Sequence, residues 1–158
     1  MKPITPCLWF DDRGEEAAKF YTSLFPNSRI TDVTYYAPGT PGPEGKVMTV
    51  SFDINGQPFT ALNGGPQFTF SEAISFEVRC KDQDEVDRYW AAFTSDGGEE
   101  SQCGWVKDRF GVSWQVVPDR LYELMSDPDT AAAQRAVQAM LQMRKLDIAA
   151  LEKAFAQP

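Results

Sequence analysis

The sequence predicts an α+β protein built from two βαβββ modules and a set of C-terminal helices. One observation is an internal repeat: a short strand precedes apolar residues at helical spacing, and the same pattern returns 69 residues later. A second is that three strand-like stretches follow each predicted helix. A third is a change after Pro118, where alanine- and glutamine-rich helical sequence replaces strand-like sequence.

The first module is predicted over residues 1–65. A strand at 4–10 leads into a polar turn at 11–14 that can cap a helix, and Pro26-Asn27 marks the end of that helix. Asn55-Gly56 is a strong signal for a two-residue hairpin. The segment 37–45 is a loop rich in proline and glycine. The apolar helix face consists of Ala17, Phe20, Tyr21 and Leu24, and the later strands are expected at 29–36, 46–54 and 57–63.

The second module is predicted over residues 72–118, after a linker at 64–71. Its strand at 73–80 and polar turn at 81–84 precede a helix that Gly97-Gly98 ends. Phe110-Gly111 takes the place of the hairpin turn. The helix face consists of Val86, Tyr89, Trp90 and Phe93, and the following strands are expected at 99–103, 105–109 and 112–117.

Residues 119–158 are predicted to form a helical extension. Helices are expected at 120–125 and 129–143, and a final turn or two carries Ile148, Leu151 and Phe155. An apolar helical stripe usually packs on other structure. We therefore expect these helices to cover the sheet or a dimer contact, with a partner-binding tail as the alternative. The apolar face of the longer helix consists of Ala133, Val137, Met140 and Leu141.

Composition excludes several kinds of partner and compartment. The net charge is −8 and the pI is about 4.5, which disfavours binding to nucleic acid or to anionic membranes. No signal peptide and no apolar stretch long enough to span a bilayer is visible. The three cysteines, Cys7, Cys80 and Cys103, are odd in number and form no CxxC pair. We therefore expect free thiols in a cytoplasmic protein.

The chain contains no histidine. This absence removes the commonest metal ligand and the commonest general base. It excludes Ser-His-Asp and Cys-His mechanisms as well as a histidine-based zinc site. Any chemistry must therefore use carboxylates, cysteine, tyrosine, lysine, backbone groups or a bound cofactor.

Four segments carry a family resemblance: LWFDDRGEEAAKFYTSLFP, FTALNGGP, CGWVKDRFGVSWQVVP and AMLQMRKLDIAALEKAF. Together they resemble the vicinal-oxygen-chelate (glyoxalase/bleomycin-resistance/dioxygenase) superfamily. Within it they are similar to the PhnB-like group, often labelled 3-demethylubiquinone-9 3-methyltransferase-like. The resemblance implies a glyoxalase-like fold with two curled sheets, each cupping a cavity. It also implies a homodimer, since many members of the superfamily dimerise.

The resemblance also implies where metal ligands would lie. In metal-dependent members of the superfamily, His and Glu ligands come from the first and last strands of the two modules. The matching places here are Thr5 or Pro6, Thr60, Ala73 or Ile74, and Gln115. None of these residues is a carboxylate or an imidazole, and a divalent cation needs several such donors. We therefore expect no bound metal and no cofactor.

The same comparison identifies candidate ligand-binding residues. Gln115 is expected to face the cavity with Thr60 as its counterpart, and strand alternation puts Ser113 on the face of Gln115. Trp114 is then expected to point to the helix side. Trp105 is a possible cavity wall or dimer surface.

Three further candidates depend on geometry that the sequence leaves open. Trp9 and Phe10 lie on opposite faces of the first strand, so one of them should reach the cavity. Asn63 precedes Gly64-Gly65, a pair that permits close approach of the backbone to a ligand but is also typical of a simple turn.

Two residues are candidates for catalysis. Glu77 is a charge within an apolar strand and would serve as a base if it faced the cavity, although an exposed sheet face is the ordinary alternative. Cys103 would be a reactive thiol, but Lys107 is its only clear basic neighbour, which favours an inert cysteine.

The function predicted from these residues is metal-independent binding of a small molecule. The first alternative is a metal-dependent isomerase, lyase or dioxygenase that uses Glu77 or another carboxylate. The second is the methyltransferase activity of the family label, although no Rossmann-like glycine motif is present. A purely structural dimer is the third.

Overall fold

The computed structural model describes every residue, Met1–Pro158. The chain forms two compact units, Met1–Phe70 and Ser71–Pro158. Each unit begins with a strand, continues with a helix and ends its repeat with three further strands. The second unit also carries the C-terminal helices. No helix is long and apolar enough to cross a membrane.

The first unit has a four-stranded sheet in the order β1-β4-β3-β2. The outer strand β1 runs parallel to β4, and the other pairs are antiparallel. Asn55 and Gly56 both have positive φ in the turn between β3 and β4, as the hairpin signal predicts. The elements are β1 (Cys7–Phe10), α1 (Gly14–Leu24), β2 (Arg29–Tyr35), β3 (Val47–Ile54) and β4 (Gln57–Asn63).

The second unit repeats this topology in the order β5-β8-β7-β6, with β5 parallel to β8. Both halves are therefore βαβββ, and the predicted α+β class is confirmed. The elements are β5 (Phe76–Cys80), α2 (Gln83–Thr94), a 3-10 turn (Ser95–Gly97), β6 (Glu99–Glu100), β7 (Trp105–Lys107), β8 (Ser113–Pro118), α3 (Asp119–Met125), α4 (Thr130–Met140) and α5 (Ile148–Ala156).

Each of the two repeated helices covers one face of its own sheet. In the first unit the ring of Tyr21 on α1 lies 6.3 Å from that of Phe52 on β3. In the second, the ring of Phe93 on α2 stacks on Trp114 of β8 at 4.6 Å. The predicted face of α2 is buried throughout. Because side chains alternate along a strand, the residues beside Trp114 in sequence belong to the opposite face of the sheet.

Both first strands begin three residues later than predicted. The strand β1 pairs with β4 only from Cys7 onward, because Pro6 and Pro58 have no N–H to extend the ladder. The strand β5 begins at Phe76, since β8 begins only at Ser113. The predicted strand at 99–103 shortens to two residues because Cys103 has a φ of 57°, which no strand residue adopts.

The C-terminal helices pack around one buried cluster that continues from β8. It consists of Val117, Leu121, Leu124, Ala136, Leu146 and Leu151. The predicted face of the longer helix is wrong in part. The residues that α4 buries are Ala132, Ala133 and Ala136, whereas Leu141 follows the helix and is 46% exposed. The distance between packed helices depends on the side chains at their contact, and small alanine side chains let α4 lie close to its neighbours.

Candidate functional site

The face of the second sheet opposite α2 carries a row of three side chains. Gln115 on β8 has Glu77 of β5 as its register partner on one side and Trp105 of β7 on the other. Trp114 is buried against α2, so Gln115 points away from that helix. We call Glu77, Gln115 and Trp105 the Gln115 row. It brings an amide, a carboxylate and a partly exposed indole next to one another.

Gln115 is held by a neighbour on its own face. Its Nε2 donates a hydrogen bond of 2.9 Å to Oγ of Ser75. The amide group is thereby oriented, and its carbonyl oxygen is the acceptor left for another group. An oriented amide binds a ligand with a smaller loss of side-chain entropy than a free one.

Glu77 takes part in a network that the C-terminal helices complete. The hydroxyl of Tyr122 on α3 donates a 2.8 Å hydrogen bond to Oε2 of Glu77. The guanidinium of Arg79 lies 4.0 Å from the centre of the Tyr122 ring and forms a 2.7 Å ion pair with Asp119. Its distance to Oε1 of Glu77 is longer, at 3.8 Å. Burial and, to a smaller extent, the hydrogen bond to Glu77 raise the pKa of Tyr122. The phenol therefore stays protonated and acts as the donor.

Ser113 lies on the face of Gln115 and is 2% exposed. Its hydroxyl is buried and has no hydrogen-bond partner. On the next strand its register partner is Lys107, whose ammonium lies 2.5 Å from a carboxylate oxygen of Glu72. This bond raises the pKa of Lys107 and lowers that of Glu72. The hydroxyl of Ser113 is thus a polar group that the fold itself leaves unsatisfied.

In the first unit, Thr60 lies on the face opposite α1 with Cys7 as its register partner on β1. Trp9 shares this face, which answers the question of register that the sequence left open. The indole Nε1 donates 2.9 Å to the carbonyl of Gly65, and the ring meets Phe68 edge-on at 4.9 Å. A Cβ on Gly64 would come within 2.4 Å of the indole. The glycine pair therefore packs against Trp9.

Phe10 and Asn63 lie on the other face of the first sheet. Phe10 is 4% exposed and its ring contacts Phe70. The Oδ1 of Asn63 accepts a 2.7 Å bond from the backbone N–H of Gly14, the first residue of α1. The side chain of Arg13, the N-cap residue of α1, pairs with Glu16 and makes no capping hydrogen bond to the helix backbone. Asn63 thus supplies the cap that the predicted turn at 11–14 does not. Phe10 and Asn63 both face the α1 side of the sheet, and we include neither of them in the candidate binding face.

Cys103 lies in the loop between β6 and β7, outside the Gln115 row. Its N–H donates to the carbonyl of Met143, and Gly104 N–H donates to that of Arg144, both at 2.8 Å. Cys103 is therefore part of a backbone connection to the segment that follows α4. Its left-handed φ of 57° belongs to that connection.

Two residues of this surface were not predicted from the sequence. Arg79 has a detectable signal, since it follows Glu77 by two positions in a strand and so shares its face. Tyr122 has none, because it is separated from Glu77 by 45 residues and belongs to a different kind of element.

The donor set does not suit the metal of the superfamily. The two last-strand places hold Thr60 and Gln115, and their register partners on the first strands are Cys7 and Glu77. Each pair supplies at most one anionic donor. No group of three or more His, Cys, Asp and Glu side chains is close enough together to hold an ion. Tight binding of a divalent cation requires more anionic donors than either pair offers.

The comparisons with known proteins agree with the topology described above. A PhnB protein from Bacillus cereus is 34% identical, with a TM-score of 0.68 over 74% of this chain and 99% of that one. The protein PA1353 from Pseudomonas aeruginosa is 20% identical, with a TM-score of 0.61 over 75% and 98% of the two chains.

FosX, a fosfomycin resistance protein of Listeria monocytogenes solved with Mn(II) and sulfate, shares the fold at 14% identity. Its TM-score is 0.52 over 74% of this chain and 89% of its own. A comparison with curated proteins gave no match. The family model for 3-demethylubiquinone-9 3-methyltransferase matches residues 2–117. With the repeated βαβββ topology, these matches confirm the resemblance: the chain belongs to the 3-demethylubiquinone-9 3-methyltransferase (PhnB-like) family of the vicinal-oxygen-chelate superfamily.

Proposed function

We propose that this protein binds a small organic molecule on the Gln115 row without the help of a metal ion. The observation that carries the proposal is the row itself. It combines an oriented amide, a carboxylate held by Tyr122 and a partly exposed indole on neighbouring strands. Small-molecule sites typically combine an apolar surface with a few convergent polar groups. Thr60 and Trp9 form a second, less polar candidate face in the first unit.

The metal-independent form of the proposal is supported by the donor set. FosX, which shares the fold, was solved with Mn(II), whereas in this chain no group of three or more His, Cys, Asp and Glu side chains could hold a metal ion. Gln115 and Thr60 offer neutral oxygens only, which bind divalent cations weakly without anionic partners. The metal-dependent isomerase, lyase or dioxygenase remains the alternative, with Glu77 as its one carboxylate in the row.

The family description also names a methyltransferase. No two glycines in the chain are separated by a single residue, so the G-x-G-x-x-G motif that cradles a dinucleotide is absent. Where β1 leads into α1, the place for such a motif, the one glycine is Gly14, the first residue of the helix. We therefore prefer binding to methyl transfer, and a titration with S-adenosylmethionine tests the preference directly.

The proposal is tested by a fragment screen followed by NMR. We expect the binding fragments to shift the side-chain signals of Gln115 and the indole signal of Trp105, and Gln115→Ala to weaken binding severalfold. Gln57→Ala is the matched control, since Gln57 is an exposed strand glutamine of the other sheet. If no fragment shifts these signals, the proposed site is refuted.

Metal and cofactor titrations form the second arm of the test. Protein purified without a metal-binding tag should show no stoichiometric Mn, Fe, Ni or Zn by elemental analysis or calorimetry. Tight binding of one of these metals would instead favour the metal-dependent alternative. Saturable binding of S-adenosylmethionine would favour the methyltransferase.

The proposal keeps the homodimer that the superfamily resemblance implies. Large apolar side chains remain exposed on the single chain, among them Tyr35 at 59% and Ile74 at 70%. Burial of such side chains is the usual driving force of association. Light scattering after gel filtration should give twice the chain mass of 17.7 kDa, and a monomer mass would refute this part.

A further inference from the structure

We propose that the Gln115 row takes a planar organic cation, and that the C-terminal helices set this preference through Tyr122. The inference rests on the proposed function, because it specifies the ligand class of the same surface. Tyr122 lies on α3 and so falls outside the family match, which ends at residue 117.

The cations around the row lie closer to other carboxylates than to Glu77, whose nearest cationic group is Arg79 at 3.8 Å. Arg79 is paired with Asp119 at 2.7 Å, closer than its 3.8 Å to Glu77. Lys107 is held by Glu72 at 2.5 Å and has Glu99 as its register partner. For each of these two cations, the closest carboxylate is therefore one other than Glu77. A carboxylate whose closest partner is a neutral phenol favours a cation, and the overall charge of −8 acts in the same direction.

Tyr122 is a positioning residue for that carboxylate. Its hydroxyl donates to Oε2 of Glu77. The other oxygen, Oε1, has only the longer 3.8 Å contact with Arg79 and can accept from a ligand. The Tyr122 ring is itself fixed by the Arg79 guanidinium at 4.0 Å. Leu121 and Leu124, its neighbours on α3, are buried in the C-terminal cluster. Packing of the helical extension therefore determines where the Glu77 carboxylate lies.

The other two members of the row complete the recognition of a flat cation. The carbonyl oxygen of Gln115 is a second acceptor next to Glu77. Trp105, on the far side of Gln115, has a partly exposed indole that attracts a cation to its face. A planar group with N–H donors at one end matches two acceptors beside an aromatic ring. An anionic group would instead be repelled by the Glu77 carboxylate and by the overall charge of −8.

The test uses three fragments of one shape: benzamidinium, benzamide and benzoate. Binding is followed on the intact protein by NMR, through the indole signal of Trp105 and the side-chain amide of Gln115. We expect benzamidinium to bind roughly threefold to tenfold more tightly than benzamide, which is the range of a partly exposed ion pair. Benzoate should not shift these signals.

Variants separate the charge from its positioning. Glu77→Gln should abolish the preference for benzamidinium over benzamide, and Tyr122→Phe, which keeps the ring beneath Arg79, should reduce it by roughly twofold or more. Tyr35→Phe is the matched control on an exposed tyrosine of the first unit and should change nothing. A purely structural role for Tyr122 would weaken all fragments equally and would overturn its assignment.

The other outcomes are also decisive. If benzamide or benzoate binds as tightly as benzamidinium, or if Glu77→Gln leaves the preference unchanged, the cation inference fails while the proposed site stands. If none of the three fragments shifts the Trp105 and Gln115 signals at millimolar concentration, the cation inference fails. The broader fragment screen then decides whether the site itself stands.

Discussion

Asp108 is the residue whose replacement should most clearly disturb the strand that carries Gln115. It is 3% exposed and lies at the turn between β7 and β8. One carboxylate oxygen accepts from the N–H groups of Phe110 and Val112, at 2.9 and 3.1 Å, and the other accepts from the indole of Trp114 at 2.9 Å. These bonds join the turn to the core of the second unit.

The cost of removing the carboxylate follows from these three bonds. Asp108→Ala leaves three N–H donors without their acceptor, and each such loss costs about 1–3 kcal/mol. Because some of these donors will form hydrogen bonds to water instead, we expect a loss of about 4 kcal/mol in the free energy of unfolding, near the low end of that sum. For a chain of this length that lowers Tm by about 10 °C.

Asp108→Asn separates the contribution of the bonds to the backbone N–H groups from that of the bond to the Trp114 indole. The amide keeps one oxygen for the backbone N–H groups but turns an NH2 group toward the Trp114 indole, placing two donors face to face. We expect a loss of about 2 kcal/mol. In a Trp114→Phe background, where the indole N–H is absent, the same substitution should cost about 1 kcal/mol less, which a double-mutant cycle measures.

Urea denaturation and thermal melting of the variants give these numbers. Asp12→Ala, at an exposed position in the turn before α1, is the control and should stay within about 0.5 kcal/mol of the wild type. An Asp108→Asn variant as stable as the wild type would refute the reasoning. So would an equal loss of stability from Asp108→Asn in the wild-type and Trp114→Phe backgrounds.

Three further predictions concern single positions. Ser113→Ala removes a buried hydroxyl without a partner and should leave stability unchanged or raise it by up to about 1 kcal/mol in urea denaturation; a clear loss would mean that the hydroxyl is satisfied. Gly64→Ala places a methyl group 2.4 Å from the Trp9 indole and should cost about 1–3 kcal/mol with a shifted tryptophan emission, whereas an unchanged spectrum would contradict that packing. Burial raises the pKa of Cys80 to about 12, so at pH 8 only about one thiol in ten thousand is thiolate. A thiol reagent should modify exposed Cys7 first and Cys80 only on unfolding, and rapid labelling of Cys80 in the native protein would contradict this.

The sequence by itself determined the elements and their repetition. The helical spacing of Val86, Tyr89, Trp90 and Phe93 predicts a buried face, and all four are buried. Such patterns can be read directly because period and turn chemistry are local properties of the chain. The absence of histidine likewise needs no structure to interpret, since it concerns composition alone.

Only the tertiary structure decided which side chains meet. Trp9 and Phe10 have the same local pattern, and the pairing of β1 with β4 placed Trp9 on the same face as Thr60 and Phe10 in the core. The capping of α1 by Asn63 joins residues 49 positions apart. The hydrogen bond from Tyr122 to Glu77 depends on how α3 packs after β8. Strand register and helix docking are set by long-range ladders and core packing, whose energies no local sequence pattern expresses.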